Sequence, residues 1–530
     1  MMDEDHRFSI DEASPDAPLL GTEEDGSSNT RTTTMMKRSG SWCMAAKPTT
    51  ISILACIALF LWVLSGTIVM VPVTSIAEDI FCKHYHGDGA KAGGHDCKSE
   101  DVQSAMAYVI GFTMAISGLI SLIVAFPFGV LADRSRKPVY FLAAVGQFVN
   151  LGWALTVLTW PDVIPIQLAV ISPLFQLIGG GIMTAISIIF SIIADVQSSE
   201  NRSIWYFFLS LAAQSAVFVG PSLGSKLMGV WSPWVPMYLS LVTTALAGLV
   251  MLPVPETASI EKQHGADHDV LDAIRGHGWL KAAKMRLSHH IKTVRSKSMF
   301  RKRPVILVLI TFMLHEPLVL GTTSTFLQYY SKRFDRTIEE AGYMLSIRGG
   351  VTVVVMGVIL PVLSKVLSSS ASRIHLPPFR RDLTLARSSA AFSFLGFLAL
   401  AGPDVGFVIA GLVVLTLSSG LGPLCRSLLT NFAEPGETAQ LFAIVSIIET
   451  IGQLPAGPFL AWSFSTGMRL RGLWIGLPFF LLAGISLLAM ACLCLIDGRS
   501  HTFDYRAVPA NEPDGDSVSI YTLEGEAEPL

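Results

Sequence analysis

Twelve apolar stretches, each long enough to cross a bilayer, constrain this chain more than any other feature. A bilayer core of about 30 Å needs roughly 20 apolar residues of helix, and backbone groups in hydrocarbon must pair within that helix. Charged residues make up only 15% of the chain, against about 25% in soluble domains. The sequence therefore predicts an all-α membrane protein. The stretches lie near 51–73, 104–128, 139–159, 166–193, 205–228, 234–253, 304–328, 342–364, 388–402, 405–430, 439–463 and 472–496.

Polar segments divide these helices into two sets of six. We predict helix bundles over 49–253 and 304–498, with disordered cytoplasmic tails at 1–48 and 499–530. The segment 254–303 between the bundles contains eleven basic residues among apolar residues at near-helical spacing. It predicts a basic amphipathic linker helix on the cytoplasmic membrane surface.

Basic residues in the connections predict the orientation. They concentrate in the N-terminal tail, the second connection, the central segment and the eighth connection, where we place Arg380 and Arg381. These connections share one face, so both termini are expected in the cytoplasm. The first connection, with Cys82 and Cys97, then faces the oxidising side, and we expect a disulfide there. The alternative is two free thiols in a flexible loop.

The two halves share a pattern that indicates an internal repeat. Ala194 is followed by an acidic residue, a polar turn and an apolar run to Pro221, 27 residues on. Ala433 is followed by the same order of features and reaches Pro458 after 25 residues. Transporters are often built from such repeats, so we predict two pseudo-symmetric bundles.

The second connection contains a compact charged motif at Gly129, Asp133, Arg134, Arg136 and Lys137. A glycine allows a second helix to approach closely, and Asp133 can accept N–H groups at the start of the next helix. Arg134 can pair with a carboxylate across the seam between the halves. This turn resembles the G-x-L-A-D-R-x-G-R-K signature of the major facilitator superfamily, although it is one residue shorter and lacks the inner glycine.

A second motif, Gly220-Pro221 with Gly224, lies in the fifth stretch. It resembles part of a motif found in proton-driven drug antiporters of that superfamily; the alternative is an ordinary kinked packing helix. The cysteine pair followed by Val102-Gln103 is also similar to the proton-coupled folate transporter branch, and fungal exporters share this pattern. The resemblance implies the two-bundle major facilitator fold, with alternating access usually driven by a proton gradient.

Polar groups inside a membrane are costly and are therefore functional candidates. We propose that Glu316 or Glu449 carries a coupling proton, because low dielectric favours the neutral form of a carboxyl group. Arg348 and Arg426 are the expected counter-ions, and His315 is expected to relay a proton or bind substrate. The alternative is a set of fixed ion pairs. Two neutral groups, Gln214 and Gln453, complete the predicted set.

These observations predict a secondary transporter, with export of a metabolite, toxin or drug in exchange for protons as the leading interpretation. The alternative is a proton-coupled symporter that imports an organic anion or nutrient. A sensor or scaffold is a weaker third class, because the tails have the composition of disordered segments. No nucleophile–base set, metal cluster or cofactor motif suggests an enzyme, and a net charge of −3 suggests no nucleic-acid partner. We expect a monomer in the plasma membrane, with the vacuolar membrane as the alternative.

Overall fold

Helices form nearly all of the chain that the computed structural model describes, which comprises residues 47–87, 95–257, 302–368, 377–432 and 438–497. The predicted tails and the predicted amphipathic helix within 258–301 lie outside the described residues. So does Ala433, the start of the second repeat pattern.

Twelve helices, α1 to α12, follow one another across the described residues. The first six are α1 (Pro48–His86), α2 (Glu100–Arg134), α3 (Arg136–Thr159), α4 (Ile166–Val196), α5 (Ser199–Val230) and α6 (Trp234–Val250). The others are α7 (Arg303–Phe334), α8 (338–368), α9 (Pro378–Leu400), α10 (Val405–Thr430), α11 (Thr438–Leu470) and α12 (Leu477–Cys494). Eleven are long and apolar enough to cross a membrane, and α6 is apolar with 17 residues. The predicted all-α membrane fold is confirmed.

Helix α9 differs from its predicted extent. It begins at Pro378, ten residues before the predicted apolar stretch, so Arg380 and Arg381 lie in its first turn and not in a connection. Arg381 pairs with Asp382 at 2.8 Å, and Ser427 of α10 donates to the same carboxylate at 2.6 Å. The apolar-run criterion missed this turn because its polar residues pair within the protein.

The two six-helix halves meet along two seams, α2 against α11 and α5 against α8. Glycines allow the backbones to approach closely there. A Cβ on Gly111 would lie 2.7 Å from the carbonyl oxygen of Gly457, and one on Gly349 would lie 2.9 Å from the Cα of Phe218. Neither contact tolerates a larger side chain without movement of a helix.

The halves are in contact at one face of the protein, which we call the disulfide face because the connection between α1 and α2 contains a Cys82–Cys97 disulfide. Near this face the hydroxyl of Ser104 donates to that of Ser465 at 3.0 Å across the α2–α11 seam. The opposite face, where α1 begins and α12 ends, is called the chain-end face.

Candidate functional site

A cavity of about 330 Å³ lies among α7, α8, α9 and α10, and α5 from the other half covers one side of it. Its volume is in the range of small-molecule sites, which combine apolar lining with polar groups that orient the ligand. Its polar lining residues are Gln214, His315, Thr322, Thr323, Arg348, Thr352, Ser393, Thr416, Ser418 and Ser419.

Three of the helices around this cavity depart from α-helical geometry next to it. Helix α7 has a π-helical turn at Gly321–Thr325, α8 has one at Val355–Ile359, and α10 has a 3-10 turn at Leu417–Gly420. Each turn contributes lining residues, and such turns often occur at functional sites. The sequence reasoning missed them. The signal was present as the polar runs Gly-Thr-Thr-Ser-Thr and Ser-Ser-Gly within apolar helices.

Helix α4 is interrupted at the position equivalent to the turn in α10. Its first part, Ile166–Ile178, is a 3-10 helix, and its second part, Gly181–Val196, is an α-helix. Gly180, between them, has φ of 83°, a conformation that glycine adopts at little cost. Gly180 lies 14 residues before Ala194, and Ser419 lies 14 residues before Ala433. The fourth helix of each half, α4 and α10, is therefore interrupted at an equivalent position.

A charge cluster lies beside the cavity, where α7, α10 and α11 meet. Arg426 pairs with Glu449 at 2.6 Å, and its guanidinium lies 5.5 Å from the ring centre of Phe312. Glu316 interacts electrostatically with both members of the pair, and His315 interacts with Arg426. The guanidinium therefore pairs with Glu449 and lies within electrostatic range of Glu316, so protonation of either carboxylate changes the charge balance around it.

Arg348 lies apart from this cluster, in the cavity. Its Nη1 is 3.4 Å from the carbonyl oxygen of Thr322, and it makes no ion pair with a carboxylate of the described residues. The two predicted glutamines are also separated. Gln214 lines the cavity and donates to the sulfur of Met356 at 3.4 Å. Gln453 packs against Gly118 in the other seam.

The motif of the second connection forms its contacts within the N-terminal half. Arg136 pairs with Asp195 at 2.7 Å, and Lys137 donates to the carbonyl oxygen of Leu252 at 2.6 Å. The carboxylate of Glu256 accepts from the backbone nitrogens of Arg136 and Lys137 at 2.8 and 3.1 Å. Glu256 therefore provides the N-terminal cap of α3 that was predicted for Asp133.

The structure differs from what was predicted for Arg134 and Gly129 of this motif. Arg134 is exposed at the end of α2, and it is Arg136 that forms the described ion pair. Gly129 was predicted to allow a close helix contact. A Cβ placed on it would meet no described atom within 4 Å, so none of the described helices packs closely against this position. The side chain of Asp133 lies outside the described part of the protein.

The glycines of the fifth-helix motif face α1 and not the cavity. A Cβ on Gly220 would collide with Thr67, and one on Gly224 would lie 2.5 Å from the carbonyl oxygen of Ile68. The hydroxyl of Thr67 also contacts the carbonyl oxygen of Ala216 at 3.2 Å. With Pro221 inside the helix, this motif packs α5 on α1.

A buried cluster joins the halves at the disulfide face. Lys98, directly after Cys97, pairs with Glu78 at 3.2 Å within the N-terminal half. Its ammonium group also donates to the Ser331 hydroxyl and, at 3.2 Å, to the Arg336 carbonyl oxygen in the other half. We call these four residues the Lys98 latch. The sequence reasoning missed it, because neither charge lies within a predicted apolar stretch.

Comparison with known proteins identifies the family. The family model of the Major Facilitator Superfamily matches residues 53–457. The chain belongs to the major facilitator superfamily. An MFS efflux pump of Emericella nidulans, atnC, is 29% identical over 435 residues, which cover 79% of this chain and 82% of that protein. The efflux pump ustT of Aspergillus flavus is 26% identical over 438 residues, covering 80% and 84%.

Solved structures of the superfamily share the fold. A D-xylose–proton symporter superposes with a TM-score of 0.57 at 15% identity, over 84% of this chain and 97% of that one. The human organic anion transporter MFSD10 superposes with a TM-score of 0.54 at 16% identity, over 84% and 99%.

Membership of the major facilitator superfamily makes the chain an integral membrane protein that transports small molecules and is not an enzyme. In the described part of the chain, no group of three or more His, Cys, Asp or Glu side chains is placed to hold a metal ion. The candidate transport site is the cavity together with the charge cluster beside it.

Proposed function

We propose that this protein exports a small organic molecule in exchange for protons, by alternating access of the cavity to the two sides of the membrane. The observation that carries the proposal is the Arg426–Glu449 ion pair at 2.6 Å with Glu316 beside it. The similarity of this chain to two fungal efflux pumps supports export as the direction of transport.

The charge cluster supplies a coupling mechanism. When Glu449 binds a proton, it no longer neutralises Arg426, and the guanidinium shifts toward Glu316. Because charges at this depth are costly without a partner, the two protonation states favour different packings of α10 against α11. His315 borders both the cavity and Arg426, so a bound substrate and the protonated carboxyl group can influence each other.

We propose that the disulfide face is extracellular and that both termini are cytoplasmic. Disulfides persist on the oxidising side of a membrane, and the basic residues favour the same orientation. The contacts of the Lys98 latch then correspond to a state that is closed to the outside. A monomer is sufficient for this mechanism, because one chain supplies both bundles. We propose the plasma membrane as its location. The vacuolar membrane is the alternative location.

In this scheme the two halves have different roles. The N-terminal half provides a cytoplasmic gate through Arg136, Asp195 and Glu256, and the C-terminal half provides the proton chemistry. Conservative changes at these three gate residues are expected to alter gating and to leave proton coupling in place. Loss of Glu449 is expected to remove proton coupling.

Vesicles containing purified protein test this function without a chosen substrate. The vesicles are incubated with a small-metabolite extract of the cells that express the protein, and their contents are identified by mass spectrometry. With an acidic lumen, antiport predicts that at least one metabolite accumulates as protons leave. Accumulation only with an alkaline lumen would indicate symport, and hence the import alternative.

Matched variants separate coupling from other defects. Glu449→Gln is expected to abolish gradient-driven accumulation. Glu340→Gln, which removes an exposed carboxylate in the first turn of α8 that pairs with Arg336 at 3.7 Å, is expected to behave as the wild type. Accumulation that ignores gradients of both signs in the wild type would rule out proton coupling.

A further inference from the structure

We infer that Arg348 binds an acidic group of the substrate, so that the molecules transported are amphipathic organic acids with a carboxylate. The inference rests on the proposed function in taking the cavity as the substrate site. It goes further by naming the chemical class and the residue that recognises it.

The isolation of Arg348 is the first observation. A guanidinium has five N–H donors, and a single contact of 3.4 Å to the Thr322 carbonyl oxygen is its described hydrogen bond. The membrane carboxylates interact with Arg426 instead, Glu449 through an ion pair and Glu316 electrostatically. A guanidinium at membrane depth with no anion beside it is costly, and an anionic ligand in the cavity would remove that cost.

The second observation is independent and concerns the hydroxyl groups of the same cavity. The Oγ of Ser419 is buried and has no hydrogen-bond partner among the described residues. The neighbouring hydroxyls are occupied, since Ser418 donates to Leu415 and Thr322 donates to Val319. Other lining hydroxyls also have partners, namely Thr323, Thr352, Ser393 and Thr416. Ser419 therefore has a free donor for a ligand.

The geometry of the helix around Ser419 supports this role. Ser419 lies in the 3-10 turn Leu417–Gly420 that interrupts α10, whereas Arg348 lies on the regular part of α8. Both side chains line one cavity. Broken membrane helices are a common way for transporters to present polar groups to substrate near the bilayer midplane.

The chemical class follows from the donors and from the remaining lining. A planar guanidinium matches the two oxygens of a carboxylate and can donate to both, and a serine hydroxyl adds a third donor. The rest of the cavity combines polar side chains, most of whose hydroxyl groups already have partners in the protein, with apolar ones such as Val217, Leu318, Leu345, Phe397 and Leu421. A molecule with one carboxylate and an apolar or aromatic body fits both parts.

Binding of matched acids and amides tests the inference in detergent, with no membrane and no proton gradient. The acids are benzoate, indole-3-acetate and 4-phenylbutyrate, and each is compared with its primary amide, which has nearly the same shape but no charge. Affinities are obtained from the dependence of Tm on ligand concentration. At least one acid is expected to bind the wild type about 10-fold or more tightly than its amide.

Three variants assign this preference to the site. Arg348→Gln is expected to weaken acid binding by about 10- to 100-fold and to leave amide binding unchanged, because a hydrogen-bonded charge is lost. Arg348→Lys is expected to keep part of the preference, since the charge remains without the planar fork. The control Arg303→Gln, at an exposed position at the start of α7, is expected to retain all of it. Ser419→Ala is expected to weaken acid binding about 10-fold and serves if Arg348→Gln does not fold.

The inference is overturned if no acid binds the wild type more tightly than its amide, or if the preference survives both Arg348→Gln and Ser419→Ala. These results are distinct from failure of the proposed function. A carboxylate preference without gradient-driven accumulation would retain the site and remove proton-coupled export. Accumulation of uncharged metabolites only would retain proton coupling and remove the assignment of Arg348.

Discussion

Replacing Ser331 with alanine removes one cross-half contact of the Lys98 latch, together with the bond from Ser331 to Arg336 within the C-terminal half, and keeps the other contacts of Lys98. Ser331 is fully buried, accepts from the Lys98 ammonium group and donates to the Arg336 carbonyl oxygen at 2.8 Å. The Lys98–Glu78 pair lies within the N-terminal half, so it is present whether the disulfide face is open or closed. The substitution therefore acts on the balance between those two states.

The expected magnitude follows from the bond that is lost. A hydrogen bond to a charged donor contributes about 1.5–3 kcal/mol, and each 1.4 kcal/mol is about a tenfold change in an equilibrium constant. Lys98 retains its bond of 3.2 Å to the Arg336 carbonyl oxygen, so we expect the lower end of the range. Ser331→Ala should raise the ratio of open to closed protein about tenfold.

Labelling of a buried thiol measures this ratio. The free cysteines are replaced by serine, and Ser465→Cys places a buried thiol in the α2–α11 seam, where Ser465 contacts Ser104 in the closed state. The labelling rate with a membrane-impermeant maleimide then reports opening of the disulfide face. Ser331→Ala should increase the rate about tenfold, and Ser210→Ala, at an exposed position on α5, should not. An unchanged rate in Ser331→Ala would refute the role of the latch.

Three further predictions concern packing and stability. Glu256→Ala should destabilise the protein by about 1 kcal/mol through loss of the α3 cap, and a fall in thermal unfolding temperature measures this; an unchanged temperature would contradict it. Cys97→Ser opens the Cys82–Cys97 loop, which spans 15 residues, and should cost about 3 kcal/mol in the chain-entropy model. Reducing conditions should lower the stability of the wild type by the same amount as Cys97→Ser lowers it. Gly457→Ala should separate α11 from α2, because a Cβ there meets the backbone of Gly111; faster labelling at the same seam would show it, and an unaltered rate would count against the close approach.

The helices of this protein follow from sequence because hydrocarbon permits few alternatives. An apolar run of about 20 residues has to pair its backbone internally, so helix number and order were predictable. Helix ends were less so, as α9 shows. Its first turn contains Arg380, Arg381 and Asp382, whose pairing with one another and with Ser427 depends on the tertiary structure. A hydrophobic criterion contains no information about such partners.

The site was predictable in its residue types and not in its geometry. Costly groups inside membrane helices identified the components of the charge cluster, and the structure brings together Arg426 and Glu449, which are 23 residues apart in sequence. The separation of Arg348 from that cluster depends on how α8 and α10 pack. The broken turns at Gly321–Thr325 and Leu417–Gly420 arise from packing around a cavity, which no periodicity reports.

Infrared difference spectroscopy of the substrate-free protein tests the central claim most directly, namely that the Glu316–Glu449 carboxylates carry the proton. A carrier must change its protonation between about pH 5 and pH 8, the range over which side-chain switches operate physiologically. The C=O band of a protonated carboxyl group is expected to appear on acidification of the wild type. It should be weaker in the double variant with Glu316→Gln and Glu449→Gln than in the wild type, and it should keep its intensity in Glu340→Gln. A band of equal intensity in the double variant, or no band in the wild type, would show that these two carboxylates do not carry the proton.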